Sequence, residues 1–101
     1  MVTFAGRTVR IHPMQVPRQR LLERFLRYVQ IDTQSVEGAE CYPSTDKQKN
    51  LLRLLVDELK ALGLSDATMD EWGYVFATLP SNLAQAQAAA LPAIGFLSHV
   101  D

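Results

Sequence analysis

The stretch NLLRLLVDELKALG, residues 50–63, constrains the fold of this chain more than any other. Leu51, Leu52, Leu55, Leu59 and Leu62 recur at helical spacing and form one apolar stripe. The segment is therefore predicted to be an amphipathic helix that must bury that stripe against a second layer. Gly63 stands where a left-handed residue can end the helix. Ser44 or Thr45 stands where a cap can start it, and Thr45 with Gln48 has capping-box spacing. A helix of this kind needs a partner surface, and the question is which other residues supply one.

Two segments offer a sheet. In DATMDEWGYVFATLP, residues 66–80, two short strand-like runs flank Glu71-Trp72-Gly73, which predicts a hairpin with Gly73 at the turn. Val75, Ala77 and Leu79 would face one way, and Tyr74, Phe76 and Thr78 the other. Trp72 beside the turn suits either a ligand contact or a packing residue over a sheet edge. The run AIGFLSHVD, residues 93–101, is nearly continuously apolar up to residue 97, which suits a strand buried on both faces in the middle of an α/β sheet. Between these segments, SNLAQAQAAALP is predicted to be a surface connector with at most one helical turn.

Upstream, PRQRLLERFLRYVQ places Leu21, Leu22, Phe25, Leu26 and Val29 on one face of a second predicted helix, with Pro17 at its first position. Its arginines and Glu23 fall mostly on the opposite, solvated face. IDTQSVEGAECYP reads as a loop. Residues 1–16 form a predicted extended leader, because Pro13 and Pro17 interrupt any continuous element. The whole is an α/β architecture: two helices packed on a partial sheet made of a hairpin and a buried strand, spanning residues 17–101.

Composition narrows the function classes. Ten basic residues against eleven acidic ones give a net charge of −1, so neither a nucleic acid nor a membrane surface is an indicated partner. Cys41 is the only cysteine, which rules out an intrachain disulfide and fits a reducing compartment. The opening MVTFAGRTVRIHP lacks the apolar core of a signal peptide. A cytoplasmic location is the expectation.

His99 and Asp101 carry the chemistry. Side chains alternate along a strand, so the two would project to one side at the C-terminal end of a central strand, where open α/β sheets place their ligand sites. A neutral imidazole is a common zinc ligand, and a carboxylate two residues away can accept its second N–H and fix the tautomer. A turn-capping pair has the same H-x-D spacing. His12 and Cys41 are further ligand types, but no spacing ties them to this pair.

Taken together, LLERFLRYVQIDTQS, the PST that opens the second helix, ATLPSN and LPAIGFLSHVD resemble the N-terminal part of the peptidase T family. These are cytosolic tripeptide aminopeptidases within the di-zinc exopeptidases, and the likeness runs from about residue 18 to residue 101. The resemblance implies a catalytic domain of that group and a reaction that releases the N-terminal residue of a short peptide. It also implies two zinc ions that share a bridging water, with a glutamate as general base. His99 resembles the first zinc ligand, and Asp101 resembles the acidic residue of the catalytic set that steadies that histidine. The family's other ligands and its general base come later than residue 101. The chain is thus expected to be an N-terminal fragment, inactive by itself. The other reading is a small non-catalytic α/β binding or structural module.

Overall fold

A computed structural model describes residues 15–101, together with the backbone of residues 2–4 and 7–9. In the latter, β1 (Val2–Phe4) pairs antiparallel with β2 (Arg7–Val9), Thr3 opposite Thr8. The rest of the expected leader, with His12, lies outside the described residues.

The centre of the structure is α2 (Gln48–Ala61). Its first two turns bury Gln48, Leu51 and Leu52, and Ala67 completes the small core. Leu55 and Leu59 continue the stripe half-buried, whereas Leu62 is exposed at its end. Burial of a leucine side chain stabilises by about 1.5–3 kcal/mol relative to exposure, so the stabilising contacts concentrate at the N-terminal half of the helix. The C-terminus closes as expected. Gly63 adopts φ 95°, its N–H donates to the Lys60 carbonyl and the Leu64 N–H donates to the Leu59 carbonyl. Both bonds satisfy carbonyls the helix leaves open.

The hairpin is formed by β3 (Thr68–Met69) and β4 (Val75–Phe76), antiparallel with Thr68 opposite Phe76. Asp70 builds the turn. Its carboxylate accepts the backbone N–H groups of Trp72 at 3.0 Å and Tyr74 at 2.8 Å, and Gly73 supplies φ 87°. The Gly73 backbone lies so close to α2 that a Cβ there would meet Leu52 Cδ1 at 3.1 Å and Pro43 at 3.5 Å. Glycine at this position therefore serves both the turn and the packing of the hairpin on the helix. Val75 is half-buried, while Ala77 and Leu79, expected on the same face, are exposed. Trp72 is also exposed.

Three expectations are corrected. Thr45 does not cap α2: Lys47 occupies the cap position with no side-chain bond, because the Thr45 hydroxyl donates instead to the Gln34 carbonyl at 2.9 Å. The helix α1 (Arg18–Tyr28) forms, preceded by Pro17 at the cap, but it buries none of its residues. Of the described helices, α2 is the one that packs closely on the hairpin. Finally, residues 93–101 do not form a buried strand. They have no regular secondary structure, and Ile94, Phe96 and Leu97 are exposed. A central strand needs neighbours at two edges and cover on two faces, and the two-residue strands of the hairpin supply neither. The connector behaves as expected, with one helical turn, α3 (Gln85–Ala88). The Cα radius of gyration of 18.4 Å compares with about 13 Å for a compact domain of this length.

This distribution of burial predicts a sharp contrast within one helix. Leu52→Ala is expected to cost about 2–5 kcal/mol, and Leu62→Ala no more than about 0.5 kcal/mol. Gly73→Ala is expected to cost at least about 1–2 kcal/mol, from its left-handed backbone alone. Chemical denaturation of the three variants measures all of these, and equal costs for Leu52 and Leu62 would contradict the placement of the core.

Candidate metal-ligand site

A cleft of about 490 Å³ lies between the C-terminal end of α1, the middle of α2 and residues 98–101. Tyr28, Val29, Ile31 and Thr33 form one wall, Leu51 and Leu55 the second, and Ser98, His99, Val100 and Asp101 the third. Each wall has a cause in the sequence.

The first wall is fixed by two sets of polar contacts. Arg24, Arg27 and Tyr28 stand at three- and four-residue spacing, on one face of α1. All three converge on Glu58 of α2: Arg24 Nε lies 3.7 Å from its carboxylate, while the Arg27 guanidinium and the Tyr28 hydroxyl donate to it. Burial raises the Tyr28 pKa above its ordinary 10.0, and the hydrogen bond to Glu58 adds to the shift. Beyond α1, the DTQS loop is tied to the start of α2. Lys47 Nζ meets Asp32 Oδ2 at 2.8 Å, Gln48 Nε2 donates to the Thr33 carbonyl at 3.2 Å, and the Val36 N–H donates to Ser44 Oγ at 3.0 Å. The buried Gln48 thus has a partner for its amide, as a buried polar group requires.

The third wall carries the predicted pair. His99 Nδ1 lies 3.5 Å from Asp101 Oδ1. The His99 side chain is 96% exposed and that of Asp101 38%, so the imidazole reaches outward while the carboxylate stands behind it. With Nδ1 facing the carboxylate, Nε2 is the nitrogen free for a metal. That donor arrangement fits one zinc ligand backed by an acidic residue. Among the described residues no group of three His, Cys, Asp or Glu side chains is placed to hold a metal ion. Cys41 is exposed, with its thiol directed at the Pro43 carbonyl 3.7 Å away, and His12 lies outside the described residues. Among the described residues, the chain brings together His99 and Asp101 and adds no further ligand to them.

Known proteins are similar to this sequence. Peptidase T of Desulfitobacterium hafniense (strain Y51) is 58% identical over 81 residues, which cover 80% of this chain. The chain is a relative of peptidase T. Peptidase T of Bacillus subtilis (strain 168) is 51% identical over 84 residues, and that of Shouchella clausii 50% over 84 residues, each covering 83% of this chain. The chain spans about a fifth of the length of these curated relatives, 18–20%. No family model matches it. No helix among the described residues is long and apolar enough to cross a membrane.

The Glu58 cluster was not anticipated from the sequence. Its signal was the spacing of Arg24, Arg27 and Tyr28, which sets three polar groups on one helix face flanking the apolar stripe. The contacts between DTQS and the start of α2 were equally unforeseen, since loop-to-helix pairing leaves no period in a sequence.

The Asp32–Lys47 bridge predicts a pH dependence. The hydrogen bond from Lys47, with a second from the Gln34 N–H, lowers the Asp32 pKa below its ordinary 3.8. A depressed carboxylate stabilises the fold above its unfolded pKa, and that contribution disappears as pH falls through the folded value. Asp32→Asn is expected to lower the thermal midpoint at neutral pH. The gap to the unsubstituted chain is expected to close as pH falls below 3.8. A gap that stays constant down to strongly acidic pH would contradict the bridge.

Proposed function

We propose that this chain supplies the first zinc ligand of a cytoplasmic aminopeptidase that releases the N-terminal residue from short peptides, tripeptides above all. The observation that carries this reading is the 58% identity to a peptidase T over 81 residues. The pairing of His99 with Asp101 supports it, since a carboxylate at Nδ1 holds the ring in the tautomer that leaves Nε2 as a ligand. A zinc ion in such an enzyme polarises the peptide carbonyl and activates water. The part of this chain is to hold and orient the ligand. His99 presents Nε2 outward from the rim of the cleft. Asp101, 3.5 Å from Nδ1, would accept the ring N–H once a metal holds Nε2, which raises the basicity of the imidazole. The DTQS loop and α2 form the wall facing them.

One ligand does not make a catalytic zinc site, which takes about three from the protein. The 101-residue chain is therefore expected to bind zinc weakly and to hydrolyse no tripeptide. The decisive experiment grafts this chain in place of the matching segment of Bacillus subtilis peptidase T. The chimera is expected to hydrolyse tripeptides and to retain zinc through dialysis. His99→Ala in the chimera is expected to remove most of the activity and to lower bound zinc. Asp101→Ala is expected to reduce metal affinity or activity about 10–100-fold. A fully active chimera carrying His99→Ala would overturn the ligand assignment, and tripeptide hydrolysis by the 101-residue chain would overturn the view that more ligands are needed.

A further inference from the structure

The DTQS loop is tied to the chain around the start of α2 at every residue that surrounds Thr33. Asp32 pairs with Lys47, and the Thr33 carbonyl accepts from Gln48. The Gln34 carbonyl accepts from the Thr45 hydroxyl, and within the loop the Gln34 N–H donates to Asp32 Oδ1 at 3.1 Å. Thr33 is thus held through its own carbonyl and through both neighbours. The Gln48 contact is the one made away from water, since Gln48 is 5% exposed while the Asp32 side chain is 66% exposed. Leaving a buried amide without its partner costs more than an exposed ion pair contributes. Gln48 is therefore the residue that fixes where Thr33 stands.

What this fixation delivers is a hydroxyl. Thr33 is half-buried and lines the cleft that His99 and Asp101 also line, on a different wall. On the walls contributed by α1, the loop and α2, Tyr28 and Thr33 carry polar side chains and the remaining lining residues are aliphatic. The Tyr28 hydroxyl is committed to Glu58. Among the described residues the Thr33 hydroxyl has no hydrogen-bond partner, and the Gln48 contact engages the carbonyl alone. A few fixed polar groups on a mostly apolar lining are what orient a ligand in a cleft. Loop residues held by a rigid scaffold are where such groups concentrate.

We infer that the Thr33 hydroxyl is a substrate contact, hydrogen-bonding the main chain of a peptide bound at His99, and that Gln48 is the residue that positions it. This rests on the aminopeptidase reading for the identity of the ligand, and on the loop contacts and the cleft lining for the site itself. A threonine hydroxyl both donates and accepts, so it meets either a peptide carbonyl or a peptide N–H. The bond is neutral and lies away from the reacting atoms, so it is made alike in the bound substrate and in the transition state. Its loss belongs in KM rather than in kcat.

The test uses the zinc-loaded Bacillus subtilis chimera. Thr33→Val keeps the shape and removes the hydroxyl. It is expected to raise KM for trialanine about two- to tenfold, the worth of one neutral hydrogen bond, with a much smaller change in kcat. Calorimetry with a phosphinic analogue of trialanine is expected to show the same loss of affinity, at unchanged zinc content and thermal midpoint. Thr33→Ser, which retains a hydroxyl, is expected to restore most of both. Gln48→Met keeps the length of the side chain and removes the donor, and is expected to raise KM in the same direction. Because Gln48 acts through Thr33, the double variant is expected to match the more impaired single variant, whereas independent effects would multiply. An unchanged KM and probe affinity in Thr33→Val, loss of zinc in that variant, or a Thr33→Ser as impaired as Thr33→Val would overturn the contact. Multiplying effects of Thr33→Val and Gln48→Met would overturn the role of Gln48. An inactive chimera that still binds the phosphinic peptide in a Thr33-dependent way fails the catalytic reading only. An active chimera indifferent to Thr33 fails this contact only, and a chimera that neither hydrolyses trialanine nor binds the probe overturns both.

Discussion

Leu52 sits where three parts of the chain meet. It is buried on the first half of α2, and its side chain fills the space that a Cβ on Gly73 would need, with Pro43 closing the same spot. The hairpin, the entry to the helix and the helix itself are therefore held by one apolar contact and by the absence of one methyl group. Around it Gln48 ties the helix to the DTQS loop through the Thr33 carbonyl, and Lys47 adds a charged contact to Asp32. The order of the wall facing His99 depends on these contacts, since Thr33 and Leu51 both belong to it.

Elsewhere the attachment is polar. α1 is joined to α2 by Glu58 and its three partners while its apolar stripe faces outward. Ion pairs with exposed partners contribute little, about 0–1 kcal/mol each, whereas a buried apolar stripe contributes several times more. The balance of forces is thus inverted relative to a typical globular domain, where the stripe is covered and the charges decorate the surface. The same inversion appears at residues 93–97. Both places expose the kind of surface that larger α/β proteins bury.

Features set by local spacing were legible in the sequence. The leucine stripe predicted α2, Gly63 its end and Gly73 the hairpin turn, because each depends on residues within one or two turns of each other. His99 and Asp101 lie 3.5 Å apart, although the strand expected to align them does not form. What could not be read depended on contacts between distant segments. The hydroxyl of Thr45 had the spacing of a cap but was claimed by the Gln34 carbonyl eleven residues away. Leu62 had helical spacing but lies past the reach of the hairpin. The apolar run 93–97 carried the pattern of a buried strand, and that pattern states a requirement for cover which the described residues do not meet. Nothing in a single sequence distinguishes a requirement from its fulfilment.

The role of His99 admits a direct measurement. An anomalous-scattering map of crystals of the zinc-loaded chimera locates the metal without reference to activity. The account predicts a metal peak bonded to Nε2 of His99, with Nδ1 of the same ring turned to the Asp101 carboxylate. A metal held entirely by other side chains, with the His99 ring directed into solvent, would contradict it.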